Sequence, residues 1–202
     1  MVKIYHVTGT RGLRAIWTCE ELSIPYEVEV VNFDPEYRAS MEWRNINPVG
    51  KVPAMSDGDL VMFESGAMVQ YLIDRYGDGR LQPKIGTADH ALYLQWSWFA
   101  EATFSRPLGE VVNHRREFPG EKQIPEVVEE MKSRARLSLE AVAKEVANKE
   151  YLIKNTFSAA DIMMGYTIML AERVLDKALP ENILPYWQRL SNREGYQIAQ
   201  NY

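Results

Sequence analysis

The chain has a single cysteine, Cys19, among 202 residues. A disulfide framework, a paired-cysteine redox motif and a cysteine zinc site within the chain are therefore excluded. There are three histidines, His6, His90 and His114. They share no ligand-like spacing, so no metal is expected. No run is long and apolar enough to span a bilayer. Residues 1–6 lack the apolar core of a secretory signal, and the cytoplasm is the expected compartment. No excess of positive charge exists either. The net charge is −5, which argues against nucleic acid or an anionic membrane as partner. Internal repeats and low-complexity tracts are absent. What remains is an ordinary globular composition, 46% hydrophobic and 25% charged, in a chain long enough for one large domain or two small ones.

Residues 1–79 alternate between strand and helix signals. Val2–Val7 reads as a strand, a turn follows at Thr8-Gly9-Thr10, and residues 11–22 carry an apolar helical face. Ser23-Ile24-Pro25 stops that helix, and Tyr26–Val31 alternates as a second strand with Tyr26, Val28 and Val30 on one side. So compact a strand-helix-strand order implies parallel pairing. Residues 35–44 read as one short irregular helix. Strands at 52–55 and 60–63 flank the turn signal Ser56-Asp57-Gly58-Asp59. A helix over 65–76 follows, with Gly77 as its C′ residue. The order βαβαββα is that of an α+β, thioredoxin-like domain.

Residues 80–87, with Pro83 and Gly86, read as a linker. Residues 88–202 then show no strand pattern and form an all-α helical bundle. A helix rich in aromatics runs from Ala88 to about Pro107, with Trp96, Trp98 and Phe99 expected to pack. A long amphipathic helix spans 124–147. Ser158 and Asp161 form a capping box before a helix apolar nearly all round. Cys19, mid-helix, is expected to be a buried core thiol.

The stretch from Asn47 to Ser65 carries the chemistry. Val52-Pro53 ends an extended edge. Proline there donates no ladder hydrogen bond and its peptide bond is of the type that adopts cis, so the Val52 backbone is left for a ligand's amide. Ser65 reads as a helix N-cap whose first-turn amides form an anion site, and Glu64 beside it suits an ammonium group. A ligand with an α-amino and an α-carboxylate at one end and a peptide behind fits both features.

A small α/β domain, a linker and a helical domain, with Asn47-Pro48, Lys51-Val52-Pro53, Glu64-Ser65 and Ser158…Asp161 in this order, resemble the cytosolic glutathione transferases, in a bacterial-type or serine/threonine-type form. The resemblance implies glutathione as co-substrate, without a metal. It implies that Pro53 is a cis-proline, that Val52 pairs with the cysteinyl part, and that Glu64 and Ser65 hold the γ-glutamyl end. Lys51 and Arg38 then lie near the glycyl end. By the same resemblance the thiol would be activated by Thr10, after the first strand, or by Tyr5, near its end. Arg11 stands where the cysteine-type classes place their cysteine, which excludes that mechanism. A hydrophobic electrophilic small molecule would sit between the two domains, lined by Phe104, Pro107 and Leu108. The family is usually homodimeric, and peroxidase, isomerase or dehalogenase activities occur among its relatives. The alternative is a non-catalytic glutathione-binding or structural protein of the same fold, which the threonine at position 10 keeps open.

Overall fold

The computed structural model describes all residues, Met1–Tyr202, and they form two compact units. One comprises Met1–Gln82 with Ser191–Tyr202, the other Pro83–Leu190.

The first unit holds a four-stranded mixed sheet in the order β2-β1-β3-β4. β1 is Val2–His6, β2 Tyr26–Val30, β3 Ala54–Asp57 and β4 Leu60–Phe63. β1 and β2 run parallel, with Ile4 opposite Val28. β3 is antiparallel to β1 and to β4. β2 is an edge strand, so Val30 is 64% exposed rather than packed as its alternation suggests. β3 begins at Ala54, two residues later than the apolar run implies. Gly58, at φ +59, makes the tight turn to β4.

α1, Gly12–Leu22, is buried over nearly its whole length. Gly12 is required there, because a Cβ would lie 2.2 Å from His6 Nδ1. Ser23, at φ 55, closes the helix in the left-handed conformation, as the Ser23-Ile24-Pro25 stop signal implies. The expected helix over 35–44 is instead two. α2 is Pro35–Ala39 and α3 is Met41–Ile46. Ser40 breaks the run because its extended backbone lets its hydroxyl accept the Trp43 N–H at 3.2 Å, which caps α3. α3 drives Trp43 onto a cluster with Val31 and Ala54, against which Tyr5, Tyr37 and Val52 also pack. α4 is Ser65–Tyr76. Gly77 is not its left-handed C′ residue. It has φ −74, and Asp78, at φ 48, takes that conformation. Gly77 is needed for space instead, since a Cβ would meet the Ile73 carbonyl at 2.4 Å.

The terminal helix α10, Glu194–Ala199, belongs to this first unit, although the sequence assigns residues 88–202 to one helical domain. Tyr196 stacks edge-on against Trp17 of α1 at 5.1 Å. That burial against α1 outweighs proximity in the chain.

In the second unit α5 is Ala88–Trp98 and α6 is Arg106–Glu117, joined by a π-helical stretch over Phe99–Ser105. The helical path therefore continues past Pro107 instead of ending there. Proline lacks an N–H and crowds the preceding turn, and the widened π turns just before it accommodate both. The Thr167 hydroxyl donates to the Ala100 carbonyl of that stretch at 3.1 Å. Trp96 is buried, but Trp98 is 69% exposed. It lies two residues, or about 200°, round the helix from Trp96 and so points outward. α7, Pro125–Val146, packs Val128, Ala135, Leu139, Val142 and Val146 inward. α8, Ala159–Val174, is buried almost all round and is the core helix of this unit. Its capping box is formed as expected, with Ser158 N–H donating to Asp161 Oδ2 at 2.9 Å. α9, Leu184–Ser191, follows. No helix is long and apolar enough to cross a membrane.

Candidate functional site

Asn47 organises the loop before β3. Its buried amide donates to the carbonyls of Lys51, at 2.8 Å, and Pro53, at 3.5 Å, and its Oδ1 accepts the Val49 N–H at 3.2 Å. Gly50, at φ +61, passes so near Arg38 that a Cβ would lie 2.7 Å from the Arg38 carbonyl. The Val52–Pro53 bond is cis. Pro53 is buried, Val52 half-buried and Lys51 exposed. The Val52 main chain lies between two anchored carbonyls and forms no hydrogen bond within the chain. Arg38 is held at this loop by Nε donating to the Gly50 carbonyl at 3.5 Å, and its guanidinium stacks on Phe33 at 4.7 Å.

Glu64 is exposed and sits at φ 75, ψ 102. A non-glycine residue pays a conformational cost there, and such residues concentrate at ligand clamps. Glu64 is the N-cap position of α4, and Ser65 is the first helical residue. Ser65 therefore does not cap the helix through its side chain. Its buried hydroxyl instead accepts Nη1–H of Arg14 at 3.0 Å. The first intrahelical bond is Met68 N–H to the Glu64 carbonyl, so the amides of residues 65–67 point out of the helix end. They carry its positive dipole.

Thr10 lies in the turn between β1 and α1. Its hydroxyl donates to the Val7 carbonyl at 2.7 Å, and its N–H donates to the same oxygen at 3.0 Å. The Thr10 carbonyl accepts from Leu13, which ties the turn to the first turn of α1. Arg14 is one turn further on, so α1 links the Thr10 turn to the N-terminus of α4. Tyr5 faces the opposite side of the sheet from His6. It packs edge-on to Trp43 at 5.9 Å, with Lys3 Nζ above its ring at 5.3 Å.

Phe104 and Leu108 are wholly buried in the core of the second unit. A ligand would reach them only by displacing that core. Pro107 lines a groove of about 830 Å³ between α6 and α7, together with Arg106, Glu110, His114, Met131 and Leu137. Arg14 and His6 were not singled out by the sequence. The signal for Arg14 was a cation on the buried face of an otherwise apolar helix. His6 is buried with neither ring nitrogen hydrogen-bonded, and burial lowers its pKa to about 4.

The first unit is thus a thioredoxin-type domain with an unpaired backbone segment and an amide-rich helix end, joined in one chain to an all-helical unit. Residues 1–74 match the family model "Glutathione S-transferase, N-terminal domain". Glutathione S-transferase 3 of Schizosaccharomyces pombe is 28% identical over 98% of this chain and 86% of its own. Residues 1–74 are thus a glutathione S-transferase N-terminal domain, and the chain as a whole is similar to curated glutathione S-transferases. Its fold is that of a Phanerochaete chrysosporium glutathione transferase solved with oxidized glutathione, at 24% identity and TM-score 0.87 over 99% of this chain and 93% of the other. The theta class enzyme of Xanthomonas axonopodis pv. citri, solved with glutathione bound, shares the fold at 24% identity and TM-score 0.84, over 100% and 97% of the two chains.

Proposed function

We propose that the chain binds glutathione on its first unit and activates the thiol for attack on a hydrophobic electrophilic small molecule. The observation that carries the reading is the pairing of an unbonded Val52 backbone with the open N-terminus of α4 in one unit. The Val52 amide and carbonyl suit the cysteinyl residue of the tripeptide. The amides of 65–67 and the Ser65 hydroxyl suit the γ-glutamyl carboxylate, and the exposed Glu64 carboxylate suits its ammonium group. Lys51 and Arg38 provide cations for the glycyl end. Glutathione bound in related structures supports the same ligand.

The nucleophile is the ligand's thiol. At an ordinary pKa of about 8.5 only about 3% is thiolate at neutral pH. A shift of about two units requires roughly 2.7 kcal/mol, and a hydrogen bond to a charged acceptor contributes about 1.5–3 kcal/mol. Thr10 supplies that bond by turning its hydroxyl from the Val7 carbonyl to the sulfur. Tyr5 is the alternative donor. The thiolate fraction then rises roughly 25-fold, while a Brønsted slope of about 0.4–0.5 takes back roughly sevenfold in nucleophilicity. Placing the thiolate beside the electrophile supplies most of the acceleration.

A second reading, binding without turnover, is favoured by the same Thr10 hydroxyl, because its proton is already engaged by Val7. Calorimetry of glutathione binding to wild type and Ser65→Ala, with ultraviolet detection of the thiolate, separates the two. Micromolar-to-millimolar binding with a lowered thiol pKa supports the transferase. Binding with an unperturbed thiol supports the binding protein, and no binding at millimolar ligand overturns both.

A further inference from the structure

Resting on the glutathione reading, we propose that Arg14 is the positioning residue for the carboxylate end of the site, acting through Ser65. Arg14 stands on α1, is fully buried, and donates Nη1–H to the buried Ser65 Oγ at 3.0 Å. A guanidinium has donors only. At this contact the serine oxygen must therefore be the acceptor. Its own hydrogen is excluded from pointing at Arg14, and it meets no acceptor elsewhere in the chain.

The hydroxyl is thus left as a donor at the N-terminus of α4, beside the outward amides of residues 65–67. A donor there selects a hydrogen-bond acceptor over a donor, and an anionic acceptor most strongly. The buried cation behind it acts in the same direction, since charge interactions are less screened inside the protein. Two consequences follow for specificity. The site is set to a carboxylate in one orientation, and the discrimination depends on a residue that never touches the ligand. The Thr10 turn leads directly into α1, which carries Arg14, so a ligand that pulls on Ser65 also bears on the helix that follows the thiol-activating turn.

The test compares glutathione with 4-aminobutanoyl-cysteinylglycine, which lacks only the γ-glutamyl α-carboxylate. Calorimetry is run on wild type, Arg14→Lys, Ser65→Ala and the double variant. Wild type is expected to prefer glutathione at least tenfold. Arg14→Lys should lose at least fivefold in glutathione affinity and stay within twofold for the analogue. The double variant should bind glutathione within twofold of Ser65→Ala alone. An equal loss for both ligands marks Arg14 as merely structural and overturns the proposal, as do unchanged affinities or additive losses. A second readout needs no substitution. In wild type the side-chain Nε–H resonance of Arg14 should move on titration with glutathione and stay in place with the analogue. Movement with both ligands, or with neither, overturns the proposal. Wild type that binds neither ligand overturns the glutathione reading itself, whereas wild-type discrimination that survives Arg14→Lys overturns only the role of Arg14.

Discussion

Arg193 grips Glu21 with two parallel bonds, Nε to Oε1 and Nη2 to Oε2, each 2.7 Å long. The residues are 172 positions apart. This fork-to-fork pair fastens the last segment of the chain to α1, and Trp17 Nε1–H adds a third bond to Glu21 at 2.8 Å. Gly195 allows the approach, because a Cβ there would lie 2.9 Å from the Trp17 ring. The terminal segment is therefore a structural part of the unit that carries the candidate site. Arg193→Ala should lower stability by about 1–2 kcal/mol, given a bidentate but partly solvated pair. Urea denaturation followed at the tryptophans measures this. A stop after Leu190 should cost more, since it also uncovers Trp17.

The Thr10 assignment makes a kinetic prediction. Loss of the bond to the thiolate removes a roughly 25-fold gain in thiolate that was offset by roughly sevenfold in nucleophilicity, so Thr10→Ala lowers turnover about fourfold at neutral pH and leaves glutathione affinity nearly unchanged. Thr10→Ser, which keeps the hydroxyl, retains activity. If Thr10→Ala turns over normally and Tyr5→Phe does not, the donor is Tyr5.

His6 gives the fold a pH dependence. Burial holds its pKa down to about 4, against an ordinary 6.5, and only the main chain of Tyr202 favours the cation. Between those values the unfolded chain binds a proton that the folded one refuses. Stability from this residue is fully present above about pH 6.5 and falls as pH drops toward 4. The loss is at most about 3 kcal/mol. Equilibrium unfolding at pH 7, 5.5 and 4.5 should show it, and His6→Asn should flatten the profile.

Cys19 is fully buried, and burial pushes its thiol up to about 12. A thiol-specific reagent should leave the native protein unmodified and label one thiol per chain in denaturant. Fast labelling of the native protein would show that α1 opens readily.

Asp161 is buried and accepts from the Leu152 and Ser158 amides, the Ser158 hydroxyl and the Tyr186 hydroxyl, at 2.8–3.1 Å. Burial raises its carboxyl pKa, and these four donors pull it back. Asp161→Ala strands all four and should destabilise the helical unit by more than about 3 kcal/mol. Ser158→Ala, which removes the cap hydroxyl, should cost about 1 kcal/mol. Thermal unfolding of both variants provides the comparison.

The order of elements was legible because each carries a local signal. Strand alternation in Val2–His6, the stop at Ser23-Ile24-Pro25 and the box at Ser158 and Asp161 all depend on neighbours a few residues away. Residues 47–65 were legible for the same reason, since a cis-prone proline and a charged pair before an apolar helix are short-range patterns. Errors arose where a long-range contact decided. Trp98 and Phe104 both read as members of one aromatic helix, yet Trp98 stands on the outward face of α5 and Phe104, in the π-helical stretch, is sealed in the core. Ser65 read as a cap, but Arg14, 51 residues away, took its hydroxyl.

The amino-acid sequence by itself determined the two kinds of unit, the family resemblance and the candidate residues between Asn47 and Ser65, because periodicity, turn chemistry and backbone preference are properties of short segments. Only the tertiary structure decided that α10 returns to α1, that Arg14 stands behind Ser65 and that the Thr10 proton rests on Val7. Each of these is a contact between hydrogen-bonding or apolar groups brought together by folding, and its energy depends on a geometry that no local pattern encodes.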